Sequence, residues 1–219
     1  MNLRAPVAPA RLLLGLGLLF GMVGLVLQFS LSIPNMLNSG RDMPGALGHF
    51  FSFYTILTNI TLVLIYASEV LPLGWLDVFR RPLVRGFMAA NIALVSIFVF
   101  FVLRHLYVLE GAWLLADNIL HYLCPILYLM WWGLAQRHGQ LEWRNLPVML
   151  APTLVYFVYA MARGAWVQEY PYPILNAIEL GYPQVLLNAV AMTALLGALC
   201  LIIIGLDQWL ARPSRTVRS

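Results

Sequence analysis

Thr55, His121, Asp117 and Cys124 could carry nucleophilic chemistry, and all four lie in or at the edge of apolar runs. Taking an imidazole out of water favours its neutral, basic form, so His121 is a candidate base. Asp117 and His121 are i, i+4 neighbours on a helix. The carboxylate could hold the ring and fix its tautomer, as the third member of a nucleophile–base–orienter set. It could equally be an acid favoured by a helix N-terminus. Cys124, three residues after His121, shares its helical face and is the stronger nucleophile by nature. A buried thiol with no cation beside it except that imidazole is mostly inert, so it ranks below a hydroxyl. Thr55 has a plainer role open to it as well, since a membrane-embedded Thr usually bonds the i−4 carbonyl or joins two helices.

The elements that must position these groups follow from composition. Of 219 residues, 62% are apolar and 10% charged, against about 45–50% and about 25% in soluble domains. So few charges cannot cover a 24.6 kDa globule in water. All thirteen basic residues are Arg, scattered singly or in pairs between apolar runs, which excludes a nucleic-acid face. Cys124 and Cys200 both lie inside apolar runs and offer neither a disulfide framework nor a CxxC site. His49, His105, His121 and His138 show no metal-ligand or haem-type spacing, so no metal or other cofactor is expected.

Stretches free of Asp, Glu and Arg run over 12–40, 43–68, 86–103, 118–136, 145–162 and 180–206. Each holds the roughly 20 apolar residues that a bilayer-crossing helix needs. The expected architecture is a single all-α integral membrane domain over 1–219, a six-helix bundle with spans near 11–32, 48–69, 85–106, 117–135, 146–166 and 182–207. The first span is longer than a secretory h-region and lacks a cleavage site, so it is expected to be retained. Arg4, Arg11, Arg80, Arg81, Arg85, Arg137, Arg144, Arg212, Arg215 and Arg218 fall on one side of this arrangement, and Arg41, Arg104 and Arg163 on the other. The arginine-rich side should be cytoplasmic, with both termini there.

Polar side chains inside the spans gather in the outer half. Ser52, Thr55 and Asn59 share one face of the second helix, Asp117, Asn118 and His121 begin the fourth, and Asn188 and Thr193 lie on the sixth. Gln28, Arg104 and His105 lie near the same level, and Asn91 is the main exception. Thr55 and His121 fall about 10 Å and about 6 Å below the outer helix starts at 1.5 Å per residue. Tyr170-Pro171-Tyr172-Pro173 reads as an interfacial aromatic belt or as a rigid lid over a cavity. Pro125, Pro147 and Pro152 should kink their helices.

Three motifs in order complete the reading: Phe53-Tyr54-Thr55-Ile56-Leu57-Thr58-Asn59, His121 followed by Pro125, and Tyr170-Pro171-Tyr172-Pro173-Ile174-Leu175. Their order across six spans, over about residues 10–210, resembles the bacterial branch of the androgen-induced protein family, which also includes the androgen-dependent regulator of tissue factor pathway inhibitor. The resemblance implies a transmembrane threonine hydrolase of the cell (inner) membrane. The substrate implied is a lipid-like ester drawn from the bilayer, of the type joining a fatty acid to a hydroxy fatty acid. By position, Thr55 is the implied nucleophile and His121 the implied base. Ester cleavage also requires donors for the developing oxyanion, for which Asn59, Asn118 and Asn188 are candidates; Tyr170 and Tyr172 are the candidate lid. The alternative is a non-enzymatic lipid-binding or small-solute transport protein whose polar groups line a cavity.

Overall fold

A computed structural model describes residues 8–106 and 108–211; Arg4, Arg212, Arg215 and Arg218, counted above for orientation, lie outside the described residues. The described residues form helices and no strand: α1 Ala8–Asn38, α2 Met43–Phe50, α3 Tyr54–Val70, α4 Pro82–Phe101, α5 Gly111–Asn118, α6 Cys124–Ala135, α7 Leu146–Val167 and α8 Ala177–Leu210. Five stretches are long and apolar enough to cross a membrane: α1, Pro82–His105, Gly111–Ala135, Trp143–Val167 and α8. The α2–α3 pair makes a sixth candidate, but it is bent by 73°.

That bend corrects the expected continuous helix over 48–69. No Gly or Pro causes it. The Ser52 hydroxyl donates to His49 O at 2.6 Å, which closes α2, and Tyr156 of α7 donates its hydroxyl to Ser52 O at 2.9 Å. Side chains thereby satisfy the backbone groups the break sets free, a requirement wherever water is excluded. Phe53 is extended (φ −76°, ψ 126°) and α3 begins at Tyr54.

The expected fourth helix is also interrupted. Ile119–Leu123 forms a π-turn between α5 and α6, in which Cys124 N–H reaches back five residues to Ile119 O. Pro125 follows and has no N–H to offer His121 O. Pro147 does not kink α7; it occupies the first helical turn, where a missing N–H costs nothing. Pro152 does lie inside α7. The last helix starts at Ala177, ahead of the expected 182, and bends at Gly181 (φ 73°) just before Tyr182-Pro183.

Packing fixes these pieces. Gly17 and Gly24 of α1 are buried, and neighbours fill the space their side chains would take. A Cβ on Gly17 would lie 2.3 Å from the Tyr66 ring, and one on Gly24 would lie 2.7 Å from Ile119 and 2.8 Å from Leu120. The π-turn is thus seated directly on α1. Below it, Tyr66 and Tyr128 pack edge-on or tilted against Trp131, with ring centroids 5.1 and 5.7 Å away.

Polar ties close both ends of the bundle. Buried Asp207 of α8 accepts the backbone N–H groups of Gly139, Gln140 and Leu141 at 2.8–2.9 Å and faces His138 Nδ1 at 3.0 Å. Arg85, 7% exposed, pairs with Glu69 and donates to Gln136 Oε1. These ties join the 136–142 connection, the start of α4 and the ends of α3 and α8. At the opposite end Arg41, after α1, forms a two-pronged pair with Glu169, after α7, at 2.7 and 2.9 Å.

Gly24→Val should lower the thermal midpoint of the detergent-solubilised protein, with a loss of about 1–3 kcal/mol from overpacking against the π-turn. Gly15→Val, where an added Cβ meets nothing within 4 Å, should change stability by less than about 0.5 kcal/mol. Differential scanning fluorimetry of both variants checks the contrast.

Candidate active site

Thr55 is the second residue of α3, a consequence of the break at 51–53. A hydroxyl in the helix interior normally bonds back to the carbonyl one turn earlier, as Thr58, Thr61 and Thr193 all do here. Thr55 instead bonds outward. Its Oγ1 lies 3.2 Å from His121 Nε2 and 3.4 Å from the Tyr172 hydroxyl. His121 sits at the centre of the π-turn, and its Nδ1 lies 2.8 Å from Asp117 Oδ1 and 3.1 Å from Asp117 O. Both acceptors favour the tautomer with hydrogen on Nδ1, which leaves Nε2 a lone pair facing the Thr55 hydroxyl. Hydroxyl, imidazole and carboxylate therefore form one continuous hydrogen-bonded chain across α3 and the α5–α6 junction.

Asn59 ties the two elements together. Its Nδ2 donates to Thr55 O at 2.9 Å and to Leu120 O at 3.3 Å. The π-turn makes the second bond possible, because Cys124 N–H has moved from Leu120 O to Ile119 O. With both amide protons engaged, Asn59 is not an oxyanion donor; it sets the spacing of the residues that flank it. Asn188 is likewise committed elsewhere, donating to Ile174 O at 2.9 Å and so holding the turn that carries Tyr172. Asn118 is exposed and lines an opening on the far side of His121.

The two lid candidates separate. Tyr170 packs onto Gly164, whose missing Cβ would lie 2.1 Å from its ring, and borders none of the cavities described here. Tyr172 enters the site. Its hydroxyl accepts the Thr55 backbone N–H at 3.2 Å, and its ring stands edge-on to Phe53 and Phe98. Burial pushes the Tyr172 phenol above its usual range, so the hydroxyl keeps its proton. Cys124 also departs from expectation. The π-turn rotates it off the His121 face into the core beside Tyr66, and it borders none of these cavities.

Thr55 and Tyr172 stand at the boundary of two cavities. One, of about 100 Å³, is walled mainly by Phe98, Val99, Phe157 and Met192 from α4, α7 and α8. The other, of about 420 Å³, is bordered by His121, Asp117, Gln28, Ser32 and Asn35. Among the described residues, no three His, Cys, Asp or Glu side chains gather to hold a metal ion. No family model, curated protein or solved structure matches the chain.

Glu169, three residues before Tyr172, anchors this loop. Besides Arg41, its carboxylate faces His49 Nδ1 at 3.0 Å and Arg163 at 3.8 Å. The hydrogen bond from Arg41 holds the Glu169 carboxyl below the usual carboxylate range, aided by the nearby His49 and Arg163 charges. A depressed carboxylate contributes fully above its unfolded pKa and loses that contribution as pH falls through the folded value. Protection of 168–176 against hydrogen exchange should therefore hold at neutral pH and fall only in acid below the ordinary glutamate range. Glu169→Gln should show the low protection already at pH 7; unchanged protection would reject the anchoring role.

Proposed function

We propose that the chain is a multi-pass membrane enzyme that hydrolyses lipid-like esters through an acyl-threonine intermediate. The observation that carries this reading is the Thr55–His121–Asp117 chain at 3.2 and 2.8 Å, set between two cavities. The reading includes six membrane crossings, with α2–α3 as the bent one, both termini cytoplasmic and the inner membrane as the location. The arginine distribution supports that orientation, and the resemblance to the androgen-induced protein family agrees with the chemistry.

His121 Nε2 takes the Thr55 proton as Oγ1 attacks the ester carbonyl carbon. Asp117 holds the ring and offsets the charge of the imidazolium. The carbonyl oxygen becomes an oxyanion beside the first turn of α3, where the Thr55 N–H and the positive end of the helix dipole face it. The Tyr172 hydroxyl now accepts that N–H; substrate entry would displace this bond and let Tyr172 donate to the oxyanion. Collapse breaks the bond to the alcohol oxygen, which takes the proton from His121. Water then attacks the acyl-threonine, gives a proton to His121 and releases the acid; the same proton returns to Thr55.

Purified protein in micelles should turn over p-nitrophenyl octanoate. Thr55→Ala and His121→Ala should each lower kcat/KM at least about 10³-fold, with thermal midpoints retained. A fluorophosphonate probe should label Thr55. Wild-type turnover in Thr55→Ala would reject the nucleophile, and labelling at Cys124 would move the role there. Asn59→Leu should lower kcat with little change in KM, at a stability cost of about 1–3 kcal/mol for the unpaired Leu120 carbonyl. Stopped kinetics and scanning fluorimetry read the two effects separately.

A further inference from the structure

The two cavities differ in chemistry, and the acid–base group faces only one of them. His121 borders the larger cavity and not the apolar one. A leaving alkoxide must collect its proton from His121 Nε2, so the alcohol half of an ester on Thr55 has to lie in the larger cavity. The acyl chain then falls on the other side, among Phe98, Val99, Phe157 and Met192.

What fills the larger cavity follows from its walls. Gln28, Ser32 and Asn35 occur at i, i+4 and i+7 on α1 and make one polar stripe along it. Gln28 Nε2 donates to Ser32 Oγ at 2.9 Å, which leaves the second amide proton and the carbonyl oxygen for other partners. Phe50, Phe53, Trp113 and Leu120 line the cavity as well and leave room for carbon, but an alcohol that is alkyl throughout would strip water from these amides and return no hydrogen bond. A carboxylate or phosphate would need a cation, and among the described residues no Arg borders this cavity. Arg41 and Arg163 are turned to Glu169. His49 does border the cavity, but its Nδ1 faces Glu169 at 3.0 Å; Arg104 lines the adjoining opening, which shares Asp117 and His121, and lies over the Phe100 ring.

We infer that the site takes esters whose alcohol half is uncharged and rich in hydroxyls, of the glycerol type, bound against Gln28, Ser32 and Asn35 while the acyl chain occupies the apolar cavity. This inference rests on the hydrolase reading above and narrows it away from esters of hydroxy fatty acids.

Four octanoyl esters separate the possibilities: monooctanoylglycerol, octyl octanoate, the octanoyl ester of a hydroxy fatty acid, and p-nitrophenyl octanoate. The full chain in micelles should show a kcat/KM for monooctanoylglycerol at least about tenfold above the octyl and hydroxy-acid esters. Asn35→Leu and the Gln28→Leu/Asn35→Leu pair should each reduce the ratio of glyceryl to p-nitrophenyl turnover, the pair by at least about tenfold. The thermal midpoint by scanning fluorimetry reports whether each variant is folded. An equal or higher rate on the hydroxy-acid ester overturns the inference, most directly if Arg104→Gln removes that rate. So does an unchanged ratio in the double variant. Absence of Thr55-dependent p-nitrophenyl turnover is a different result: it rejects the hydrolase reading itself.

Discussion

In hydrocarbon a helix can be interrupted only where other groups take over the hydrogen bonds it gives up. Thr55 and His121 each lie at such an interruption. At 51–53 the Ser52 hydroxyl and the Tyr156 phenol satisfy the broken turn, and Thr55 becomes a first-turn residue whose hydroxyl turns to a neighbour instead of back to its own helix. At 119–123 the π-turn frees Leu120 O, and Asn59 takes it. Asn59 also holds Thr55 O, so one side-chain amide sets the spacing between the two interruptions.

The rest of the molecule holds these breaks in place. Gly24 brings α1 against Ile119 and Leu120, so the π-turn is supported from behind. At the Arg41 end, Glu169 gathers Arg41, His49 and Arg163 and fixes the loop that puts Tyr172 over Thr55. Asn188 holds the same loop from α8. At the far end the carboxylate of Asp207 and the guanidinium of Arg85 are buried with their hydrogen-bond partners, which costs far less than burying either alone. The proposed chemistry thus sits at one end of a frame with polar ties at both ends and a third across its middle, where the Tyr54 and Thr153 hydroxyls both donate to buried Asn91.

Several residues show where sequence reasoning works and where it stops. Thr55, His121 and Asp117 were legible because polar groups are rare in apolar helices, and a hydroxyl, an imidazole and a carboxylate at similar depth are rarer. The Asp117–His121 contact was legible from its i, i+4 spacing; the Thr55–His121 bond was not, since it depends on two breaks without a Gly or Pro at the break itself. Asn59, Asn118 and Asn188 looked alike as amides in the outer half. Geometry separates them into a clamp, an exposed group and a loop anchor. Tyr170 and Tyr172 are two residues apart, a spacing that would put both on one side of a regular extended segment, yet one packs onto Gly164 and the other reaches Thr55. Cys124 left the His121 face because a π-turn carries more residues per turn than the α-helix its spacing assumed. Glu169 drew no notice beforehand, because the partners that make it an anchor are more than a hundred residues away in Arg41 and His49.

Composition and the spacing of apolar runs determine, without any structure, that the chain is helical and apolar enough to cross a membrane several times. Both follow from local demands of hydrocarbon, which favours long apolar runs and requires backbone groups to be bonded, most of them within their own helix. Only the tertiary structure decided that α2 and α3 part at Ser52, that Tyr172 and not Tyr170 reaches Thr55, and that two unlike cavities meet at that hydroxyl. Each of those outcomes depends on contacts between residues far apart in the chain, and periodicity along a helix carries no information about which distant side chain will satisfy a broken turn.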